Sequence, residues 1–253
     1  YTQPATRVSC AHRGWKIGQR DQFEARRGRL ALAEVAQVPF GSPRPQRSPP
    51  GYGQGQHDEQ RHRVTIADGF YVSATEVTNG QFRRYWPAHD SGAYDGQSLN
   101  GDDQPVVNMA WCEARRFCRW LGVQSGQTHN FALPSEEQWE YSCRAGAATA
   151  YWWGQESGSA NHNGFGAADG FLVTAPVASY AANRWGLFDT AGNAWEWCAD
   201  VHGAYGEPRL AAASGIPGGA AMVLRGGSWF AVIPGRCRSA ARGRSPSQSR
   251  LDS

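Results

Sequence analysis

Thiols, imidazoles and carboxylates are the groups that could do chemistry in this chain, and their spacing excludes most of the centres they could form. The six cysteines stand at 10, 112, 118, 143, 198 and 237. No two make a CxxC pair, so neither a paired-cysteine zinc site nor a thioredoxin-type redox motif is present. Six cysteines in 253 residues are also too sparse for a disulfide scaffold. The seven histidines (12, 57, 62, 89, 129, 162 and 202) contain no HxxxH or HExxH, the spacing that sets two imidazoles on one helix face for a catalytic metal. The marked charge feature is the segment 225–253, with six arginines against one aspartate in a chain of net charge +3. Its Arg238, Arg242 and Arg244 fall at even spacing, on one face of a strand, and are expected to pair with carboxylates or stack on tryptophans. The whole-chain charge is too small to argue for nucleic acid.

The elements that must position these groups are short. Mean hydropathy is −0.58, and no run nears the roughly 18 apolar residues that a membrane span needs. Eleven Trp and 31 Gly point to a loop-rich fold with an aromatic core. Residues 1–34 read as an N-terminal extension or edge element, and 35–253 as one domain. Glycines and prolines between 41 and 55 mark an irregular loop. Residues 63–66 and 70–73 alternate like half-buried strands. Thr78 can cap a short helix through Arg84, and Asn108 a longer one to Leu121, with Trp111, Phe117, Cys118 and Leu121 as its apolar stripe. Ser135 and Gln138 form a capping box ahead of a helix that ends at Gly146. Residues 147–223 read mostly as loop, a length that a compact domain sustains only if something besides a sheet, such as bound metal, organises it. Residues 223–229 read as a strand entering a turn.

Several phrases are weak singly and specific together. Phe70-Tyr71-Val72 precedes Thr75-Glu76-Val77-Thr78-Asn79, and Pro105-Val106-Val107-Asn108 follows. Then come Leu133-Pro134-Ser135-Glu136-Glu137-Gln138-Trp139-Glu140-Tyr141, Gly192-Asn193-Ala194-Trp195-Glu196-Trp197 and Arg225-Gly226-Gly227-Ser228-Trp229. Their order and spacing resemble the formylglycine-generating enzyme (sulfatase-modifying factor) family, whose fold is a variant of the C-type lectin fold. The resemblance covers roughly residues 35–253. It implies an α+β domain with two or three helices around small twisted antiparallel sheets and much irregular loop.

The formylglycine-forming members bind copper through cysteines two and seven residues after the aromatic of the Gly-Gly-Ser-aromatic motif. Here those places hold Ala231 and Arg236, and Cys237 stands alone one position later. An isolated thiol cannot supply a two-thiolate copper site, so the expected protein has the scaffold without the catalytic residues. A copper-dependent oxidase relative with an altered active site is the alternative. The resemblance also implies two structural calcium sites: Asn161, His162, Asp169 and Phe171 in the first, Asp189, Gly192, Ala194 and Glu196 in the second. Such a mixture of carboxylates and backbone carbonyls suits calcium, which takes six to eight oxygens. His62 matches a structural position of the family. The family further links a cysteine at position 143 to one two residues beyond Cys237, which makes a Cys143–Cys237 bridge a hypothesis.

Within the family, the C-terminal stretch most resembles the variable proteins of diversity-generating retroelements. Their fixed frame would be Arg225–Trp229, Cys237-Arg238-Ser239-Ala240, Arg242, Arg244 and Arg250. The diversified ligand-binding surface would then comprise Phe230, Ala231, Val232, Ile233, Gly235, Arg236, Ala241, Gly243, Ser245, Ser247, Ser249, Leu251 and Asp252, in a variable region of about 225–253. Adenine mutagenesis of asparagine codons cannot reach Lys, Glu, Gln, Met or Trp, and of these only Gln248 occurs in 230–253. The expected function is therefore non-enzymatic display of a varied surface to a protein or glycan ligand.

Overall fold

A computed structural model describes residues 6–8, 11–13, 35–37, 59, 62, 64–66, 70–126, 130–158, 169–205, 220–231 and 235–248. In chain order the elements begin with β1 (Thr6–Val8), β2 (Ala11–Arg13), β3 (Val35–Gln37), β4 (Phe70–Ser73) and α1 (Asn79–Phe82). They continue with β5 (Ala93–Tyr94), β6 (Gln97–Ser98), α2 (Trp111–Gln124), β7 (Phe131–Ala132) and α3 (Glu136–Arg144). The last are β8 (Trp195–Val201), β9 (Ala221–Arg225) and β10 (Gly243–Pro246). One sheet runs β1-β8-β9-β10, parallel only between β1 and β8; a second runs β3-β4-β2-β7, all antiparallel; β5 and β6 form a hairpin. The first 34 residues thus supply β1 at an edge of one sheet and β2 inside the other. None of the described helices is long and apolar enough to cross a membrane.

Local chemistry sets the helix starts. Thr78 Oγ1 accepts from the Gln81 amide while Gln81 Oε1 accepts from the Thr78 amide, at 3.2 and 3.0 Å. Ser135 and Gln138 make the same reciprocal pair at 3.2 and 2.9 Å. The start of α2 differs from expectation. Asn108 is left-handed, at φ 57, and the cap falls at Ala110, whose amide is taken by Glu113 Oε2 at 2.9 Å. Alanine offers no side-chain acceptor, so only half of a capping box forms. Residues 64–66 are not a strand, and the expected loop of 147–223 is interrupted by β8 and the start of β9.

The core lies between α2 and the β8–β9 pair. Trp111, Ala114, Phe117, Cys118 and Leu121 of the helix cluster with Trp195, Trp197, Met222 and Leu224 of the strands. The Trp111 indole donates to the Cys198 carbonyl at 2.7 Å, fixing helix to strand while its ring fills the core. Buried asparagines tie down the irregular chain. Asn79 Nδ2 donates to the carbonyls of Leu99 and Gly101 at 2.8 and 3.0 Å. Asn193 Nδ2 donates to Glu76 Oε2 at 2.8 Å, across 117 residues of sequence. These residues belong to the phrases that carry the resemblance, and here their work is holding backbone.

Candidate functional site

The turn after β9 is built so that its backbone does not depend on exposed side chains. Gly226 and Gly227 have φ of 92 and 81, a region costly for any other residue. A Cβ on Gly227 would also lie 2.6 Å from Cys237 Sγ and 3.0 Å from the Arg236 carbonyl. The Gly192 amide donates to Gly226 O at 2.8 Å, and the Trp229 amide to Asn193 O at 2.9 Å. Arg225, 0% exposed, acts as a clamp on the return strand. It donates to the carbonyls of Ser239, Ala240 and Ala241 at 2.7–2.9 Å and pairs with Glu140. Burial alone would lower the Arg225 pKa, but the Glu140 and Glu136 carboxylates outweigh it and raise the value, so the guanidinium stays charged. Arg242 completes the buried network with a two-pronged pair to Glu136 at 2.7 and 2.9 Å.

On this frame Phe230 and Ala231 are partly buried, Gly235 is partly buried, and Arg236 is exposed. Phe230 packs beside Tyr94 and Trp229, and Ala231 against the cluster of Tyr151, Ala191 and Cys237. Three expected surface positions are corrected: Ala241, Ser245 and Ser247 are buried. Residues 243–248 alternate, and the positions assigned to the surface at 245 and 247 turn inward. Pairing of β10 with β9 sets Ser245 beside Met222 and leaves Arg244, Pro246 and Gln248 outside. Gly243 is also constrained, because a Cβ there would lie 3.0 Å from the Trp195 ring. Val232, Ile233, Ser249, Leu251 and Asp252 lie outside the described residues.

The arginines divide differently from a single strand face. Arg242 is buried on Glu136 with its guanidinium 4.4 Å from the Tyr205 ring, Arg238 pairs with Glu59 from a turn, and Arg244 is exposed. His62 stacks on the Tyr205 ring at 3.8 Å.

Among the described residues five thiols are unbridged, and all but the partly buried Cys112 are buried. Cys143 and Cys237 are both free, so the hypothetical bridge is absent. Cys143 Sγ instead faces Ser239 Oγ at 3.5 Å and Thr190 O at 3.6 Å. Serine thus occupies the place where the resemblance puts a cysteine partner. Cys237 is 5% exposed, and burial pushes its thiol up to about 12. At neutral pH it is not a thiolate.

The expected calcium ligands fall into two situations. Asn161 and His162 lie outside the described residues; Asp169 closes a turn, Oδ1 accepting from the Phe171 amide and Oδ2 from the Tyr180 hydroxyl, each at 3.0 Å. In the second set Asp189 and Glu196 are buried carboxylates, and Asp189, Gly192 and Asn193 are all left-handed. Asp189 Oδ2 accepts from the Ala178 amide at 2.6 Å, and its Oδ1, also buried, accepts no hydrogen bond. Glu196 Oε1 and the Thr190 carbonyl lie 3.5 and 3.7 Å from the Cβ position of Gly226. This donor set of hard oxygens fits calcium better than a transition metal. Among the described residues no three or more His, Cys, Asp or Glu side chains converge as a metal centre, so backbone carbonyls would have to complete the shell. Glu76 was not expected here. Burial, then the charge and hydrogen bond of Asp169 and the charges of Asp189 and Glu76, push the Tyr180 hydroxyl well above its usual range.

The model of the sulfatase-modifying factor enzyme 1-like domain family matches residues 27–253. The chain is 40% identical over 143 residues to the formylglycine-generating enzyme of Streptomyces coelicolor, covering 51% of this chain and 43% of that protein. The matched region is thus less than half of that relative's length. Among solved structures the chain is similar to PvdO from Pseudomonas aeruginosa, with TM-score 0.70 and 26% identity over 86% of this chain and 90% of the other. It is also similar to Treponema denticola variable protein 1, with TM-score 0.58 and 20% identity over 86% and 94% of the two chains.

Proposed function

The chain belongs to the sulfatase-modifying factor enzyme 1-like domain family and has its C-type lectin-like fold, and from that premise we propose that it is a non-enzymatic binding protein. Its C-terminal turn would be diversified by a retroelement and presented to a protein or glycan ligand. One observation carries the reading. The two places where the family's copper thiolates would stand hold Ala231 and Arg236, and the nearby thiol, Cys237, is buried and protonated at neutral pH. The Arg225 clamp and the paired glycines give further support, because they hold the backbone while Phe230, Ala231 and Arg236 are left to vary; Gly235, at φ 95, is held to glycine like the pair before it. The likeness in fold to a Treponema variable protein is consistent with this use of the scaffold.

The rival reading is a copper oxidase with an altered site, favoured by the 40% identity to a formylglycine-generating enzyme. Incubating the copper-treated chain with a cysteine-bearing peptide separates the two. The expected result is aldehyde formation no greater than with copper alone, and turnover above that background would overturn the binding reading. Diversification has its own check: an asparagine-codon-rich near-copy of the 225–253 coding sequence beside a reverse transcriptase gene.

We further propose that calcium, held by Asp189, Glu196 and the carbonyls of Gly192 and Ala194, is structural. Saturating calcium should raise the melting temperature over an EGTA control by roughly 5–10 °C at a hundredfold excess over Kd. The Asp189→Ala variant should show no such rise, and an equal rise in that variant would remove this site from the account.

A further inference from the structure

We propose that the outward face of α2 is a docking surface for an anionic lipid bilayer, separate from the C-terminal binding face. Arg116, Arg119, Trp120 and Val123 recur at i, i+3, i+4 and i+7, so they share one side of the helix. The buried stripe of Trp111, Ala114, Phe117, Cys118 and Leu121 occupies the other side. Arg116 and Arg119 are exposed, Trp120 is partly buried with its ring stacked on Phe117, and Val123 is 60% exposed. Among the described residues only Leu172 is another large apolar side chain so open to solvent. The Tyr85 ring lies 5.8 Å from that of Trp120. The chain after α1, with Arg84, Pro87 and Ala88 exposed, therefore borders the same surface.

This charge does nothing for the helix itself. Glu113 is the only acid in α2, and it is buried and taken up by the Ala110 amide. Arg115 lies over the Trp111 ring at 4.8 Å, whereas among the described residues Arg116 and Arg119 form no ion pair. Arg119 stands three residues from Arg116 and four from Arg115, spacings at which like charges repel. Such repulsion beside an open tryptophan and an exposed valine fits a partner that is at once anionic and apolar. A bilayer interface is both: its phosphates pair with the arginines, tryptophan is favoured at headgroup depth, and valine meets the acyl boundary. The rise from Arg116 to Val123 is about 10 Å along the axis, comparable with the roughly 5–10 Å to which interfacial helices sink. A nucleic acid is the poorer match. Valine has no flat face on which a base can stack, and the stripe offers no Ser, Thr, Asn or Gln to share phosphate contacts with the arginines. A protein hot spot would use the Arg and Trp but seldom the Val.

The test sediments the full chain with phosphatidylcholine vesicles, with and without phosphatidylglycerol, at low and high salt. The expected result is partition into the phosphatidylglycerol vesicles, weakening as salt rises, and none into phosphatidylcholine alone. The double variant Arg116→Gln with Arg119→Gln should weaken partition by about 25-fold, or about fivefold per arginine. Val123→Ser should weaken it several-fold, since it removes the apolar contact. All three positions are on the surface, and thermal melts matching the parent chain check that the fold is kept. No partition into phosphatidylglycerol vesicles, or partition unchanged in the folded double variant, overturns the proposal. Partition that survives Val123→Ser unchanged overturns insertion and leaves attraction by charge alone. Binding of a single-stranded oligonucleotide or of poly-glutamate that is lost in the double variant, with vesicles left unbound, overturns the bilayer and gives the face to that polyanion. None of these residues lies in the C-terminal turn, so each outcome leaves the binding reading to its own tests.

Discussion

Replacing Glu136 with alanine should destabilise the protein by about 3–5 kcal/mol, a large share of the 5–15 kcal/mol that holds a typical domain together. Glu136 is almost fully buried and supplies both oxygens to Arg242, with Arg225 Nη1 3.9 Å away. Arg225 retains Glu140, but Arg242 would lose the two-pronged carboxylate that offsets its burial. A guanidinium cannot escape by losing its proton. Urea unfolding, read as a shift of midpoint at constant slope, measures the loss. The double variant Glu136→Met with Arg242→Met should recover most of it, because it removes the buried guanidinium together with its Glu136 counter-charge. A single-variant cost below 1 kcal/mol would mean that water reaches this network and that it does not anchor the C-terminal segment.

The second large effect runs in the opposite direction. Ser239→Cys should form a disulfide with Cys143, since Sγ and Oγ are already 3.5 Å apart across 96 residues of sequence. A crosslink closing a loop of that length stabilises by up to about 4–5 kcal/mol in the chain-entropy account, less any native strain. Burial pushes the Cys143 thiol up, though hydrogen bonds from its surroundings partly oppose this. The thiolate that attacks in disulfide exchange is therefore scarce in the folded protein. The bond should form on refolding in a glutathione buffer and only slowly in folded protein. Mass spectrometry under non-reducing conditions, with melting curves taken with and without reductant, reads both. Equal melting temperatures in the two conditions for a fully bridged sample would show that strain cancels the gain.

What the sequence disclosed was mostly local. The reciprocal pairs at Thr78–Gln81 and Ser135–Gln138 are written within four residues, and both occur as expected. β8 was missed because its central residues are buried on both faces, which removes the alternation that betrays a half-exposed strand. β10 was not read as a strand, and its inward face could not be, since that depends on pairing with β9. The frame of the candidate site was legible from the Arg225–Trp229 phrase and its paired glycines. Tyr94 was not, because a contact between a hairpin and a turn so distant in sequence leaves no local trace. Glu76 stood in a phrase that carries the resemblance, yet its partner Asn193 is set by tertiary packing alone.

The Arg225 clamp also governs where the chain can change in length. Its fork grips the carbonyls of residues 239–241 directly, so added or deleted residues between Cys237 and the end of β10 would drag the return strand out of register. The arc between Trp229 and Cys237 is anchored at its two ends and is the place where insertions can be absorbed. Under the binding reading proposed above, variation would therefore extend to loop size as well as side-chain identity, and longer inserts grafted there should leave the rest of the domain folded.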